Sequence, residues 1–501
     1  MSWDEYVQIR YGEHILNFYA SNYSDLSALV YKNLYLYGGL FDTVVQGMVR
    51  LFPNQDPLLI RRLLSGLVGW LGMVGVWRLG HLVGGARTGF LSLLLIATTP
   101  SYFGHMFINP KDFPFAVGYI WTLLMLVRIG RTYPDVPWKE WMGFGIVLGM
   151  TLAVRIGGVL LLAYALTGLI VATLLSTQCR KRESLLRNGA FLTLALLFTF
   201  IIMVIPWPSA LVDPVTTIQK AFSATTHFPY QSWPNLFQGT YHLSHALPWT
   251  YYPVYFGVKI PELFLLSTVL AIPFGLVSLI RSGFRQDTLA LSGWFFLGIA
   301  LVVPLLYPIL FNSIHYDAIR HFLFILPPMA VLAGWTLHSL LNTVQNVSRG
   351  AAVVVLTICV ITPLSVIADM VRIHPYQYAY YNHLTGGISG AENRFELDYW
   401  GTSFKEAASI IRTHSKQLAH SEKPQRYTVY SCGPISTLMP FLGTDYQRTR
   451  DRQNADYIVL LNRSSCHRLK QGKPIGPVER EGVPMAWVFY QDPADRQETV
   501  Q

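Results

Sequence analysis

Four groups of charged side chains in this 501-residue sequence could do chemistry together. WDEY, at Trp3 to Tyr6, sets two carboxylates side by side, Asp4 and Glu5. INPKDFPF carries Asn109, Lys111 and Asp112, and IHYDAIRHF carries His315, Asp317, Arg320 and His321. Arg155 stands alone in an apolar stretch. Carboxylates can take a proton from a hydroxyl nucleophile or hold a divalent cation. Arginine, lysine and histidine can hold a phosphate leaving group. Charge inside a membrane span is expensive and usually functional, so Arg155 is read as a functional or ion-paired residue, with snorkelling to the interface as the bland reading. Taken singly, the other groups are ordinary solvated loop charge.

The elements that must position these residues are membrane helices. The chain is 52% hydrophobic and only 13% charged, about half the charge of a soluble protein. A membrane helix needs about 20 apolar residues. Ten such stretches are read: 60–80, 88–104, 114–130, 141–155, 157–176, 188–206, 258–281, 288–311, 319–341 and 351–371. The fourth and fifth meet at Arg155. Gly66, Gly69, Gly72 and Gly75 in the first span, and Gly145 and Gly149 in the fourth, are expected to allow close helix packing. No basic, aromatic-interleaved patch favours nucleic acid. The net charge of +10 is assigned to cytoplasmic loops and to attraction for anionic lipid or phosphate.

Basic residues orient the chain. Arg128, Arg131 and Lys139 share one loop, Arg180, Lys181, Arg182 and Arg187 another, and Arg281 and Arg285 a third. All three fall on one face, which the positive-inside rule makes cytoplasmic. The opposite face then receives residues 1–58 as a first outer loop, GHMFINPKDF, the long loop 208–257, NSIHYDAIRH and the tail from about 372. The transmembrane domain is 59–371. An outside N-terminus with no preceding span would have to cross the membrane unaided. The expectation is therefore a misassigned start or a lost first helix, which would make eleven spans and would leave Asp4 on a frayed end.

The tail, 372–501, is polar and has strand-like runs, YTVYSC, ADYIVLL and MAWVFY, beside KEAASIIRTHSKQL, in which Ala407, Ile410 and Ile411 share a helix face. The expected fold is thus a polytopic α-helical membrane protein of about ten spans with a small extracytoplasmic α/β domain. Cys432 and Cys466 lie in that domain, either bonded or as two free thiols. Cys179 and Cys359 lie elsewhere. The outer loop 208–257 is dense in Trp, Tyr and Pro, as PWPSALVDP, HFPYQSWPNLFQG and HALPWTYYPVYF. It suits an interfacial aromatic belt, a groove for sugar rings, or both.

With all four charge groups on one face, carboxylates and cations would meet at the water–lipid boundary. Moving a sugar from a lipid phosphate demands this arrangement. The lipid stays in the membrane and the acceptor comes from water.

At these residues the chain resembles a known family. WDEYVQIRYG and INPKDFPFAVGYIW are similar to the first and second acidic motifs of GT-C class glycosyltransferases. The closer resemblance is to the protein mannosyltransferase-like family and its bacterial relatives that use polyprenyl-phosphate sugars. HALPWTYYPVYFGVKIPELFLL, YDAIRHFLFILPPMAVLAGW, HPYQYAYYNHLTGG and FELDYWGTSFKEAA resemble later segments. The resemblance implies that Asp4 is the catalytic aspartate, activating an acceptor hydroxyl, with Glu5 assisting it. It implies that Asp112 is the second acidic position and that Arg320, joined by His321, lies near the donor phosphate. Arg155 is an independent candidate for that phosphate. A divalent metal, Mg or Mn, held by Asp4, Glu5 and Asp112, is implied for some members. The implied donor is a polyprenyl-phosphate monosaccharide, with inversion at the anomeric carbon. The acceptor is a protein, lipid or glycan, and the place is the inner (plasma) membrane.

Two other functions compete with transfer. A transporter of a lipid-linked glycan would place charge near the bilayer midplane and often shows internal repeats. A non-catalytic assembly protein would keep the tail domain and lose the site.

Overall fold

The structure is a computed structural model, and it describes residues 1–175, 181–226, 234–282, 288–311, 314–418 and 426–492. Cys179, Arg180, Arg285 and the HFPYQSW part of the outer loop lie outside the described residues. In chain order the helices are α1 (Trp3–Ala20), α2 (Leu40–Leu51), α3 (Pro57–Ala97), α4 (Pro100–Ile108), α5 (Asp112–Thr132), α6 (Trp138–Leu152), α7 (Val159–Leu175), α8 (Lys181–Val204), α9 (Pro208–Val212), α10 (Pro214–Thr226), α11 (Tyr251–Lys259), α12 (Glu262–Ser282), α13 (Thr288–Phe311), α14 (Leu326–Val347), α15 (Arg349–Arg372), α16 (Gly387–Ala391) and α17 (Phe404–Leu418). A hairpin of β1 (Pro234–Phe237) and β2 (Thr240–Leu243) precedes α11.

The chain is a polytopic α-helical membrane protein. Among the described residues, six helices are long and apolar enough to span a bilayer, and α12 and α13 hold shorter apolar stretches. The helices follow the ten stretches read from sequence. The first two are run together in α3, which leaves the helix at Gly84 and Gly85. Gly85 has φ 82°, a left-handed conformation that favours glycine. The chain doubles back there, so Gly80 lies against Gly89 and Ser92. The glycine ladder does what small residues do in lipid, where no hydrophobic drive joins helices and close approach must. Gly69 faces Met106, Gly72 faces Tyr102 and Val117, Gly75 faces Ile120, and Gly145 meets the backbone of Ala195. The core helix is α14, packed on α3 and α12. By contrast, α15 turns Val353, Leu356, Ile361 and Leu364 outward, as a lipid-facing helix must.

Residues 1–58, expected as a loop, instead contain two helices. The signal for the first was present. Ser2 followed three residues later by Glu5 is a capping box, in which each side chain bonds the other's backbone N–H.

The C-terminal domain is α/β as expected. Strands β3 (Tyr427–Cys432), β4 (Tyr446–Arg448), β5 (Tyr457–Leu461), β6 (Lys473–Arg480) and β7 (Val483–Tyr490) form one sheet in the order β4-β3-β5-β7-β6. The β3 pairings are parallel and the β7 pairings antiparallel. Helix α17 packs Ala407, Ala408 and Ile411 against it, with Ile410 half-buried at the edge of that face. Cys432 and Cys466 are bonded, which settles the choice left open by the sequence. The connector between α15 and α17 is buried and aromatic, with Tyr376, Tyr378, Tyr381, Tyr399 and Trp400 among the largest enclosed side chains. Tyr378, Tyr399 and Trp400 pack on Ile108, at the end of α4.

Candidate active site

Three breaks between membrane helices supply the site, and irregular backbone at membrane depth is tolerated only where it is buried in protein or lines a cavity. The first is the turn Asn109–Lys111 between α4 and α5. There Asn109 accepts from the Asp112 N–H at 2.9 Å and donates to its carboxylate at 3.2 Å. The second is the interruption at Arg155 between α6 and α7. Arg155 is extended, φ −147°, and a short 3-10 turn follows it. The third is the loop before α14, where Asp317 and Ala318 both have positive φ, 62° and 57°. Helix α1 docks on the first break, since Ser2 Oγ donates to the Ile108 carbonyl at 2.8 Å. Asp4 therefore sits in the first turn of a capped, buried helix and not on a frayed end.

Arg320 is the centre. The residue is 4% exposed. It reaches Asp4 at 3.4 Å, Asp112 at 3.3 Å and Asp317 at 2.9 Å. Asp112 also takes a hydrogen bond from Arg155. Trp400 and Tyr316 cover the Arg320 plane, at 5.2 and 5.1 Å. From the C-terminal domain, Arg463 donates to Asp317 at 2.6 Å and pairs with Glu396 at 3.4 Å. Burial pushes the Asp317 and Glu396 carboxyls above their ordinary range, with Arg463 pulling both back down.

A cavity of about 370 Å³ opens beside this cluster. Its polar wall holds Lys32, Lys111, Arg155, Arg320 and Arg463 against two carboxylates, Asp4 and Asp317, with His315 and His321 between them. Its apolar wall holds Phe115, Leu160, Pro304, Tyr307 and Phe324 from α5, α7, α13 and the 3-10 turn before α14. Asp4 Oδ2 is buried, makes no hydrogen bond and has Arg320 Nη2 as its ion-pair partner at 3.4 Å.

Of the residues singled out from sequence, Asp4, Arg155, Arg320 and His321 line the cavity. Asp112 lies beneath it, covered by two guanidinium groups. Glu5 points elsewhere. It completes the cap by accepting from Ser2 N–H at 2.6 Å, and it faces Arg62 at 3.7 Å. Glu5→Gln keeps that acceptor, so it should lower stability by about 1 kcal/mol or less. Thermal unfolding checks this; a larger loss would show that the Glu5 charge does more than cap the helix.

The three carboxylates do not fit a divalent cation. Asp112 is taken by arginines and Glu5 by the cap. Among the described residues no three His, Cys, Asp or Glu side chains are grouped to hold one. Sequence reasoning missed Arg463, Trp400 and Tyr37. Tyr37 carries Lys111 over its ring at 4.0 Å and is followed by Gly38, whose Cβ position is 2.0 Å from the Ala153 carbonyl oxygen. That contact presses the Tyr37 loop on the break that aims Arg155. Gly38→Ala must move backbone. It should cost at least about 1–3 kcal/mol, read by thermal unfolding. Unchanged stability would show that the loop is not pressed on that break.

Residues 41–207 match the family model described as dolichyl-phosphate-mannose-protein mannosyltransferase. That matched stretch, about a third of the chain, carries Asp112 and Arg155, while Asp4, Arg320 and Arg463 come from outside it. No curated protein matches the chain by sequence. Among solved structures the chain is similar to ArnT from Cupriavidus metallidurans, in the apo state and bound to undecaprenyl phosphate. Each is 15% identical over 96% of this chain and 93% of that one, with TM-score 0.49. It is also similar to the Archaeoglobus fulgidus oligosaccharyltransferase in the apo form, 12% identical over 90% of this chain and 61% of that one, with TM-score 0.46.

Proposed function

We propose that the chain is an integral membrane glycosyltransferase that moves a monosaccharide from a polyprenyl-phosphate donor to an acceptor hydroxyl. One observation carries this reading. The cavity joins an apolar wall between membrane helices to a wall with five cations, and the Asp4 carboxylate lines it. The apolar side suits a polyprenyl chain and the cations suit its phosphate. The family description of residues 41–207 names a donor of the same class.

In this reading Asp4 accepts the proton of the acceptor hydroxyl. The freed oxygen bonds to the anomeric carbon as the bond from that carbon to the phosphate oxygen breaks. The lipid phosphate leaves with the electron pair and is neutralised by Lys111, Arg155 and Arg320, with His321 beside them. Asp112 holds Arg155 and Arg320 in place. The site faces the extracytoplasmic side of the inner membrane, following the basic loops, with the C-terminal domain over it. A hexosyl or mannosyl donor fits this scheme, and the acceptor is a protein, lipid or glycan hydroxyl.

The test gives purified protein in lipid a set of radiolabelled polyprenyl-phosphate sugars and follows sugar release. Release from the wild type that Asp4→Ala removes supports the reading. Release that persists in Asp4→Ala, or no release from any donor, sinks it in favour of a binding or transport role.

A further inference from the structure

Glu396, Arg463, Asp317, Arg320, Asp112 and Arg155 form a row of alternating charge from the C-terminal domain into the membrane core. Each neighbouring pair is in ion-pair contact. Arg463 is its link across the domain boundary. It leaves the end of the central strand β5, immediately after Asn462, which bonds backbone atoms of Met485 and Pro484 on β7. Three residues later Cys466 ties the turn to β3 through the disulfide. Tyr241 on β2 donates to the Ser464 carbonyl between them at 2.6 Å. Arg463 is thus launched from a point fixed on three sides.

It lines the cavity, yet each of its guanidinium nitrogens faces a protein acceptor. Nη2 donates to Asp317, Nη1 donates to the Tyr399 carbonyl at 2.6 Å, and Nε lies 3.4 Å from Glu396 in an ion pair. These contacts fix the group in place against Asp317. What it holds is Asp317, the first of two consecutive non-glycine residues in the left-handed region, three positions before Arg320. Such backbone persists only where surroundings impose it. Here they are the Arg463 bond and the Tyr251 hydroxyl, which accepts from the Ala318 N–H at 3.2 Å.

We propose that Arg463 is a positioning residue, through which the C-terminal domain sets the place of Arg320 in the lipid-phosphate site. The proposal rests on the transferase reading for its substrate, but its first readout needs only the lipid phosphate. Without Arg463, Asp317 is a buried carboxylate with Arg320 as its one remaining guanidinium partner. It draws Arg320 toward itself and away from Asp4 and Asp112, and the loop relaxes.

The experiment uses the full chain in lipid nanodiscs, titrated with undecaprenyl phosphate and assayed for sugar transfer. Arg463→Met should weaken lipid-phosphate binding about tenfold, the scale of a coupling mutation. Arg463→Lys, which offers one ammonium where a fork is needed, should recover part of the loss. Adding Asp317→Asn to Arg463→Met removes the orphaned charge and should bring affinity back to within about threefold of wild type. The donor KM should follow the same order while kcat changes little. A fall in kcat at unchanged KM would mean a misfolded fraction and would overturn the proposal. So would wild-type affinity in Arg463→Met, or a double variant no better than the single. A wild type that binds the lipid phosphate but transfers no sugar sinks the transferase reading and leaves this inference standing. One that binds nothing sinks both.

Discussion

Replacing Arg320 by methionine should abolish sugar transfer, by about a thousandfold or more, and should also destabilise the protein by about 3–5 kcal/mol. Three carboxylates, Asp4, Asp112 and Asp317, converge on this one guanidinium, and it is 4% exposed. Removing it leaves two of them, both almost fully enclosed, short of a partner. Breaking a buried ion pair by deleting one side costs far more than the pair contributes, and here Asp112 would keep only Arg155 and Asp317 only Arg463 as guanidinium partners. Arg320→Lys should not rescue. A lysine ammonium is a point donor and cannot face three carboxylates in the plane that a guanidinium spans. Its ring neighbours Trp400 and Tyr316 also stack on a flat cation. Denaturation in mild detergent and transfer in nanodiscs check the two halves separately. An Arg320→Met protein with wild-type stability would show that the carboxylates find other partners or take up protons, and that the cluster is not the keystone described here.

Asp4→Asn should behave in the opposite way. Transfer should fall by about 10²–10⁴-fold, the usual contribution of a general base. Stability should change by less than about 1 kcal/mol. Asp4 touches Arg320 only at 3.4 Å and its side chain is 22% exposed. Asparagine fits the same space, still lines the cavity and cannot accept a hydroxyl proton. Lipid-phosphate affinity should hold within about threefold, because the cations are untouched. This separation of a lost rate from retained binding distinguishes a base from a binding residue. Loss of binding in proportion to the loss of rate would move Asp4 into the phosphate site.

The membrane helices and the four charge groups were legible because charge beside apolar runs is rare and visible. Arg155 stood out for that reason, and so did the pairing of its two short helices. The direction of Glu5 was not legible. Adjacent residues on a helix point about 100° apart, so Asp4 and Glu5 cannot both face one cavity once the segment is helical. Deciding which one does requires the helix, and its signal, the Ser2–Glu5 capping box, lay in a segment read as loop. Arg463 was illegible for another reason. It is one arginine among several in a polar tail, where charge carries no signal, and its partners Asp317 and Glu396 are 146 and 67 residues away. The alternative of free thiols was also open, since two cysteines in a domain say nothing about how near their strands lie. Parallel pairing of β3 with β5 makes them neighbours.

The buried aromatic connector has a consequence for biosynthesis. Translation proceeds at about 5–20 residues per second, so the stretch between Arg320 and Arg463 takes roughly ten to thirty seconds to emerge. Throughout that time the helices can insert, but the roof over the cavity is missing. Trp400 has not yet covered Arg320, and Asp317 has no Arg463. A half-made chain therefore has a lipid-accessible floor and no assembled centre.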